Sequence, residues 1–375
     1  MDRLIPATPG QPTDWRLRAG AVSPQKIAHG GYHWRGKASH RSDRFFEGWY
    51  FRLTLPEVGQ SFAFMYSIDD PAGGSDYSGG AAQILGPDEA YYCRTFSNPE
   101  TFWAWPHKLG LGHWRSGKRS RYLPSEAFER QVKEGYQATA TQHQGKLRSP
   151  GGSLVAHWSY QTRPLVSWGL PSGRATAGWL SYLPVFDPGW QVLMAHGLSS
   201  GYMTWYGQTY RFTDAPTYAE KNWGTTFPIK WFWIQCNAFL NEPGVALTAA
   251  GGTREVLGKQ ENVGLVGVHH QGRFYEFLST KTRLTWVVDP WGYWHVSAQD
   301  YRYRVEVIGR AIDAGAQVRV PTRSGLRWLC RDTTHGKLHL TLWDLKRDQR
   351  VISATSHLAG LEVGGCPWTA RWVGP

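Results

Sequence analysis

Residues 231–239 read Trp-Phe-Trp-Ile-Gln-Cys-Asn-Ala-Phe, and the alternation within this stretch decides the fold. Successive side chains of a β-strand point to opposite faces, so a strand here separates a purely apolar face from a mixed one. The apolar face consists of Phe232, Ile234, Cys236 and Ala238. The mixed face consists of Trp231, Trp233, Gln235, Asn237 and Phe239. We expect the apolar face in a core, and the mixed face either in a pocket wall or packed with its amides satisfied.

The same period of two recurs along most of the chain, with Gly, Pro, Asn and Asp between the apolar runs. This pattern predicts an all-β, antiparallel fold of the sandwich or barrel type. One short helix is expected within residues 124–135, and residues 311–322 are expected to form a long loop or a hairpin end. We expect an extended segment over residues 1–28, a larger β-domain over 29–283 and a smaller one over 284–375.

Residues 45–53 place an acid among apolar groups. In a strand, Glu47 shares its face with Phe45, Trp49, Phe51 and Leu53. Desolvation on such a face would raise the pKa of Glu47 and leave it protonated, as a general acid requires. The alternative is a structural ion pair of Glu47 with Arg44 or Arg52.

A second polar group lies in residues 219–224, which read Ala-Glu-Lys-Asn-Trp-Gly. Glu220, Lys221, Asn222 and Trp223 are consecutive at the entrance to a strand, and such dense polarity often belongs to a site. A solvated turn, with Gly224 supplying an unusual backbone angle, is the alternative.

The composition indicates the kind of ligand and excludes several classes of protein. The 375 residues include 21 Trp, 18 Tyr and 15 Phe, which favours a cavity for something large, flat or cationic. A formal charge of +12 favours an anionic membrane surface over nucleic acid, because the aromatic residues are not interleaved with the basic ones. No phosphate loop, dinucleotide fingerprint or serine-hydrolase elbow is present.

The histidines and cysteines suggest neither a metal site nor disulfides. His29 and His33 are four residues apart and His269 and His270 are adjacent, but neither pair has a clear third ligand nearby. The four cysteines are widely spaced, which fits a reducing compartment. We expect no metal, no signal peptide and no transmembrane helix, since the N-terminus lacks an apolar stretch and no run is apolar for about 18 residues.

Taken in order, several tryptophan-rich strings resemble the tocopherol cyclase family of photosynthetic organisms. They are Gly31-Tyr32-His33-Trp34, Arg44-Phe45-Phe46-Glu47-Gly48-Trp49-Tyr50-Phe51, Ser61-Phe62-Ala63-Phe64-Met65-Tyr66-Ser67, Ala81-Ala82-Gln83-Ile84-Leu85-Gly86, Glu220-Lys221-Asn222-Trp223-Gly224, Lys230-Trp231-Phe232-Trp233-Ile234-Gln235-Cys236-Asn237 and Pro290-Trp291-Gly292-Tyr293-Trp294. The resemblance implies a cofactor-independent cyclisation of a prenylated methylbenzoquinol to the chromanol of vitamin E. It also implies two lipocalin-like β-domains, as in the distantly similar carotenoid 1,2-hydratases and pericyclases. Lys221 stands where those hydratases carry a histidine, so that catalytic histidine is not carried over.

The expected site follows from the demands of this reaction. Glu47 or Glu220 would protonate the alkene, and the rings of Trp49, Trp223, Trp231 and Trp233 would stabilise the resulting cation. Gln235 and Asn222 would hold the quinol oxygens. Lys221 would pair with Glu220 or orient the phenol, and His33, Tyr50 and Tyr66 would also contact the substrate.

Two other functions stay open at this point, a terpenoid or carotenoid alkene hydratase and a non-catalytic prenylquinone carrier. We expect a cytoplasmic protein that is peripherally associated with the thylakoid or plasma membranes of a photosynthetic organism.

Overall fold

The computed structural model describes residues 27–36, 44–115, 120–169, 173–182, 187–256 and 258–375. Within these ranges the chain forms 22 strands, one α-helix at Ser125–Gln131 and short 3-10 turns at Pro56–Val58, Pro87–Glu89, Pro99–Thr101 and Gly178–Tyr182. Neighbouring strands run antiparallel, as in the pairing of β1 (Phe46–Leu55) with β2 (Gln60–Asp69). The predicted all-β fold with one short helix is therefore confirmed. The extended segment expected over residues 1–28 lies outside the described residues, apart from its last two.

The first sheet has eleven strands in the order β4-β3-β2-β1-β11-β10-β9-β8-β7-β6-β5. After β1 and β2 its strands are β3 (Gly79–Leu85), β4 (Tyr91–Phe96), β5 (Phe102–Ala104), β6 (Gly110–Trp114), β7 (Gly135–Thr139), β8 (Gln142–Arg148), β9 (Leu154–Val166), β10 (Gly189–Trp205) and β11 (Gln208–Gly224). Laid flat, eleven strands would span about 48 Å, whereas the chain between edge strands β4 and β5 reaches only about 20 Å. The sheet must therefore curl, and its concave side packs around one core that includes Phe51, Phe64 and Trp158.

The second sheet also has eleven strands. It must curl because β15 and β16, which would lie about 38 Å apart in a flat sheet, are joined by a chain from Leu278 to Arg283 that reaches only about 17 Å. Its main path runs β15-β14-β13-β12-β21-β20-β18-β17-β16-β22, and β19 pairs with β20. The strands are β12 (Lys230–Cys236), β13 (Ala246–Val256), β14 (Lys259–His270), β15 (Arg273–Leu278), β16 (Arg283–Val288), β17 (Tyr293–Gln299), β18 (Tyr303–Arg310), β19 (Ala316–Thr322), β20 (Gly325–Asp344), β21 (Gln349–Gly365) and β22 (Trp372–Val373). Its core contains Phe232, Ile234 and Cys236, as predicted. The predicted alternation stops there, because β12 ends at Cys236, and Phe239 from the predicted mixed face also packs in this core.

Two expectations about chain organisation can be compared with the structure. The change of sheet comes between Gly224 and Lys230, whereas the expected division at residues 283 and 284 falls at the start of β16, within the second sheet. Of the two alternatives for residues 311–322, a long loop or a hairpin end, the structure shows the hairpin for the second half, because Ala316–Thr322 is β19 and pairs with β20. The buried positions Ala316, Val318 and Val320 of β19 alternate with polar residues, and this pattern is too short and weakly apolar to identify a strand by itself.

One buried cation connects the two sheets. Arg52 of β1 is 1% exposed, and its guanidinium donates to Ser61 Oγ within the first sheet at 3.2 Å. It also crosses to the second sheet, donating to Gln235 Oε1 at 3.0 Å and to the carbonyl oxygens of Thr334 and Leu358 at 2.9 and 2.7 Å. Buried hydrogen bonds to a charged group are among the stronger ones in proteins, so this contact holds the sheets face to face.

An aromatic contact supports the same interface. Trp168 follows β9, is fully buried, and donates from its indole nitrogen to Glu276 Oε1 of β15 at 3.0 Å. Its ring packs directly on Gly267 of β14, where a Cβ atom would overlap the ring.

No helix in the described ranges is both long and apolar enough to cross a membrane.

We predict that Gly267→Ala destabilises the protein by about 1–3 kcal/mol, because the added methyl group displaces Trp168 from the interface. Urea unfolding followed by tryptophan fluorescence measures this loss. Gly151→Ala is the matched control, since a Cβ atom there meets only Ser149 Oγ at 3.8 Å. Equal unfolding midpoints for the two variants would contradict the assigned contact.

Candidate active site

A cavity of about 280 Å³ lies between the two sheets. Side chains of the first sheet line one wall, and side chains of the second sheet line the other. The first wall includes Gly48, Tyr50, Trp190, Glu220 and Asn222. The second wall includes Trp231, Trp233, Ala250, Leu265, Val318, Val320, Cys330 and Glu362. The lining reaches the surface at the exposed Thr280, so a narrow apolar and aromatic space with carboxyls in both walls opens to solvent.

The register of β1 with β11 explains which polar residues face this cavity. Tyr50 lies opposite Glu220, and Gly48 lies opposite Asn222. Directly opposed residues share a face, so these four point toward the second sheet. Gly48 lacks a side chain, which leaves space beside Asn222 and Tyr50.

Glu220 is the carboxyl in the first wall. It is 6% exposed and accepts hydrogen bonds from the Tyr218 hydroxyl at 2.6 Å and the Trp233 indole nitrogen at 3.0 Å. Burial raises the pKa of Glu220 to about 7, although both hydrogen bonds act in the opposite direction. A large fraction of Glu220 is therefore a neutral acid at physiological pH.

The second sheet holds two further carboxyls that the sequence did not reveal, Glu362 in the cavity wall and Asp332 on the neighbouring strand. Trp233 of β12 lies opposite Glu362 of β21, which in turn lies opposite Asp332 of β20. The three side chains thus form one row across adjacent strands. Glu362 accepts a hydrogen bond from the Trp231 indole nitrogen.

Glycines in β21 make room for the tryptophan rings beside Glu362. A Cβ atom at Gly364 would overlap the ring of Trp231, and one at Gly360 would press on the ring of Trp233. The two rings therefore pack against the backbone of β21 at positions on either side of Glu362.

Tyr50 places a free hydroxyl in this space. Its ring meets Trp233 edge to face at 5.1 Å, and the side chain is 9% exposed. The hydroxyl has no hydrogen-bond partner among the residues that the structure describes. Burial, followed by the nearby Asp332 carboxyl, raises the pKa of Tyr50 well above its ordinary value, so the hydroxyl keeps its proton.

A second charged cluster lies on the opposite face of β1 and β11. Glu47 and Lys221 are both fully buried, with Lys221 Nζ 2.6 Å from Glu47 Oε1. Lys221 also donates to the carbonyl oxygen of Gly31 at 2.6 Å, and the backbone nitrogen of His33 donates to Glu47 Oε2 at 2.8 Å. The ring of His33 stacks on Trp223 at 4.0 Å. This cluster fastens residues 27–36 to the first sheet.

The charge state expected for Glu47 was wrong. Burial acts to raise the pKa of Glu47, but the Lys221 ammonium and the hydrogen bonds from His33 and Lys221 outweigh it and hold the pKa below its ordinary value. Glu47 is therefore a carboxylate. The alternative, a structural ion pair, was right in kind but not in partner: Glu47 pairs with Lys221, whereas Arg44 contacts Asp69 and Arg52 donates to Gln235.

The remaining predicted residues divide between the two faces. Asn222, Trp231 and Trp233 line the cavity, while Gln235 lies deeper and is bound to Arg52. Trp49 and Tyr66 border the cavity, but their rings belong to the core of the first sheet, where Tyr66 stacks on Tyr136 at 4.2 Å. The expected pairing of Lys221 with Glu220 does not occur, because adjacent residues of β11 point to opposite faces.

No group of three or more His, Cys, Asp and Glu side chains in the described ranges could hold a metal ion. The carboxyl groups that line the cavity can transfer protons, and its aromatic rings can stabilise positive charge.

These features define an antiparallel β-protein whose two curled sheets enclose an aromatic, carboxyl-lined cavity. The sequence profile of the tocopherol cyclase-like family matches residues 43–365, and the chain belongs to this family. The resemblance found in the sequence is confirmed.

Two curated plant proteins are similar over most of their length. The chain is 41% identical to the probable tocopherol cyclase, chloroplastic, of Oryza sativa subsp. japonica, over 93% of this chain and 80% of that protein. It is 42% identical to the tocopherol cyclase, chloroplastic, of Zea mays, with the same coverage.

Among solved structures, the chain is similar to CghA, with a TM-score of 0.55 and 10% identity over 92% of this chain and 97% of that chain. The complex of CghA with Sch210972 gives a TM-score of 0.53 and 11% identity over 92% of this chain and 98% of that chain. At this identity the similarity shows a shared fold.

We predict that Lys221→Met lowers the free energy of unfolding by about 3–5 kcal/mol, because it leaves the Glu47 carboxylate buried without its cation. The double variant Glu47→Leu with Lys221→Met should be less destabilised than Lys221→Met alone, since no buried charge remains. Urea denaturation of the wild type, both single variants and the double variant gives a double-mutant cycle for this pair. Strictly additive losses would show that the two side chains do not interact.

Proposed function

We propose that this protein closes a prenylated methylbenzoquinol to a chromanol, an isomerisation that needs no cofactor, as the tocopherol cyclase of vitamin E biosynthesis. The observation that supports this most directly is Glu220, a buried carboxyl with a pKa of about 7 in the wall of an aromatic cavity. Family membership and the names of the plant relatives favour the same reaction.

In the proposed reaction Glu220 is the general acid. Its proton forms a C–H bond with the π electrons of the nearest prenyl double bond, and a tertiary cation develops at the more substituted carbon. A lone pair of the phenol oxygen then forms the C–O bond, and the O–H bond breaks with its electron pair remaining on oxygen. One proton enters and one leaves, so the product has the mass of the substrate.

The cavity walls fit the charge that develops in this reaction. Trp231 and Trp233 lie in the second wall near Glu220, and the face of an indole stabilises a desolvated cation by about 2 kcal/mol or more. Apolar lining also excludes water, which would otherwise capture the cation and give a hydrated tail. Asn222 and Tyr50 supply polar groups for the quinol oxygens.

The size of the cavity suggests which part of the substrate lies inside it. At about 280 Å³ it is at the lower end of ligand pockets. We therefore place the quinol ring and the reacting prenyl unit inside, and the rest of the tail along the opening at Thr280.

The test is to incubate the purified protein without oxygen with a prenylated methylbenzoquinol and analyse the products by chromatography and mass spectrometry. The proposal predicts a chromanol of unchanged mass, formed as a single enantiomer. Addition of water would identify a hydratase instead, and stoichiometric recovery of the unchanged quinol would identify a carrier.

We predict that kcat of the wild type falls as pH rises through about 7, because the general acid must be protonated and burial raises the pKa of Glu220 to about 7. Glu220→Gln should lower kcat by about 100-fold or more and remove this decline.

Glu57→Gln, at an exposed glutamate in the turn after β1, is the matched control for the pH profile and should match the wild type. A Glu220→Gln variant with wild-type turnover would exclude Glu220 as the acid.

We also propose that the protein binds an anionic membrane surface through the hairpin of β19 and β20, from which a lipophilic substrate could enter. Trp328 and Leu329 are 50% and 37% exposed, and Arg323 and Arg327 are exposed in the same hairpin. Val318 of this hairpin lines the cavity, so the surface lies close to the substrate. Exposed aromatic and basic side chains together favour an anionic lipid interface.

We predict that the wild type floats with phosphatidylserine vesicles at low salt, and that Trp328→Ala with Leu329→Ser weakens this binding several-fold. Leu240→Ser, at another exposed apolar residue, is the control and should bind as the wild type does. No binding of the wild type to anionic vesicles at low salt would remove the membrane from the proposal.

A further inference from the structure

The proposed reaction releases a proton from the phenol. Glu220 can accept this proton only after it has donated its own proton to the alkene. The second wall of the cavity contains another carboxyl, Glu362, on the opposite sheet from Glu220. A substrate held between the two walls would have one carboxyl on each side. This arrangement permits protonation of one face of the alkene while the phenol oxygen attacks the other.

Two hydrogen-bond donors stabilise the carboxylate form of Glu362 against the effect of burial. The indole nitrogen of Trp231 donates a hydrogen bond to Glu362, and the thiol of Cys330 is a second donor. Hydrogen bonds donated to a carboxylate stabilise its charge. Burial acts against them and raises the pKa of Glu362 above its ordinary value, which makes it a stronger base.

Asp332 adds a neighbouring acid that keeps its own proton. It is 1% exposed, lies opposite Glu362, and neither of its carboxyl oxygens has a hydrogen-bond partner among the described residues. Burial, together with the charges of Glu362 and Glu89, raises the pKa of Asp332 well above its ordinary value, although Arg52 acts in the opposite direction. Two such close acids do not both ionise, and the donors to Glu362 place the charge there.

The unpartnered hydroxyl of Tyr50 points to a ligand in the same space. Tyr50 lines the cavity, and its hydroxyl interacts electrostatically with the carboxyls of Asp332, Glu362 and Glu220. The hydroxyl has no hydrogen-bond partner in the described part of the chain. A buried hydroxyl normally has a partner, and the oxygen of a bound quinol would supply one.

We infer that Glu362 is a catalytic residue, the base that accepts the phenolic proton as the ring closes. This inference rests on the proposed function. As the C–O bond forms, the phenolic O–H bond breaks, its electron pair stays on oxygen, and the proton binds to the Glu362 carboxylate. Glu220 is then ionised and Glu362 protonated, and water entering after product release returns the proton from Glu362 to Glu220.

The test compares pH profiles of kcat for the wild type and for Glu362→Gln, with turnover of the prenylated methylbenzoquinol as the measurement. The wild type should show two limbs, a rise as Glu362 ionises and a decline as Glu220 loses its proton. Glu362→Gln should lower kcat by about 100-fold, with substrate affinity little changed, and should lose the rising limb while keeping the decline. Glu306→Gln in β18, at a glutamate paired with His295 outside the cavity, is the matched control and should keep both limbs.

A second variant keeps the inference testable if Glu362→Gln does not fold. Trp231→Phe retains an aromatic ring but removes the hydrogen bond to Glu362, so the pKa of Glu362 should rise and the rising limb should move to higher pH. An unmoved limb would overturn the assignment.

Failure of the inference and failure of the proposed function give different results. If the wild type forms the chromanol, and Glu362→Gln keeps both its turnover and its rising limb, Glu362 is not the base and the proposed function stands. If the wild type forms no chromanol, the proposed function itself fails.

Discussion

The site depends on the hydrogen bonds that the buried guanidinium of Arg52 makes to both sheets. It is buried between two sheets that are each stabilised by a separate core, and its hydrogen bonds reach both of them. Its acceptors are neutral, so the positive charge is not cancelled by a direct ion pair and acts on the carboxyls nearby. It lowers the pKa of Asp332, although burial outweighs this effect. One side chain thus both joins the two sheets that form the cavity walls and acts on the charge of Asp332, next to the cavity.

The alternation of side chains along a strand accounts for the different character of two glutamates at the same end of the first sheet. Glu47 and Glu220 lie on adjacent strands, yet they face opposite sides. On one side Lys221 neutralises Glu47 and keeps it ionised. On the other side Glu220 has only neutral donors, so burial dominates and a proton is retained near neutral pH. The same residue type is therefore a structural ion on one face and an acid on the other.

Much of the fold could be predicted from the sequence, because a period of two is a local property. The two faces of the strand that ends at Cys236 could be recognised in this way. The short helix could be recognised from an equally local signal, apolar residues four apart between a Pro and a Gly. Glu47 and Glu220 could be identified as candidates, but their charge states could not, since the partner of Glu47 is 174 residues away along the chain. Glu362 and Asp332 were missed for a related reason. Their place beside Trp233 depends on the pairing of β21 with β12 and β20, which joins distant parts of the sequence and leaves no local pattern.

The tryptophans that lie on the glycines of β21 have a consequence for how this family can change. Trp231 occupies the space that a side chain at position 364 would need, and Trp233 crowds position 360 in the same way. A smaller residue at 231 alone would leave a void, and a larger one at 364 alone would expel the ring. Positions 231 and 364 are therefore expected to vary together among related sequences. The width of the cavity would then change only when both residues are replaced.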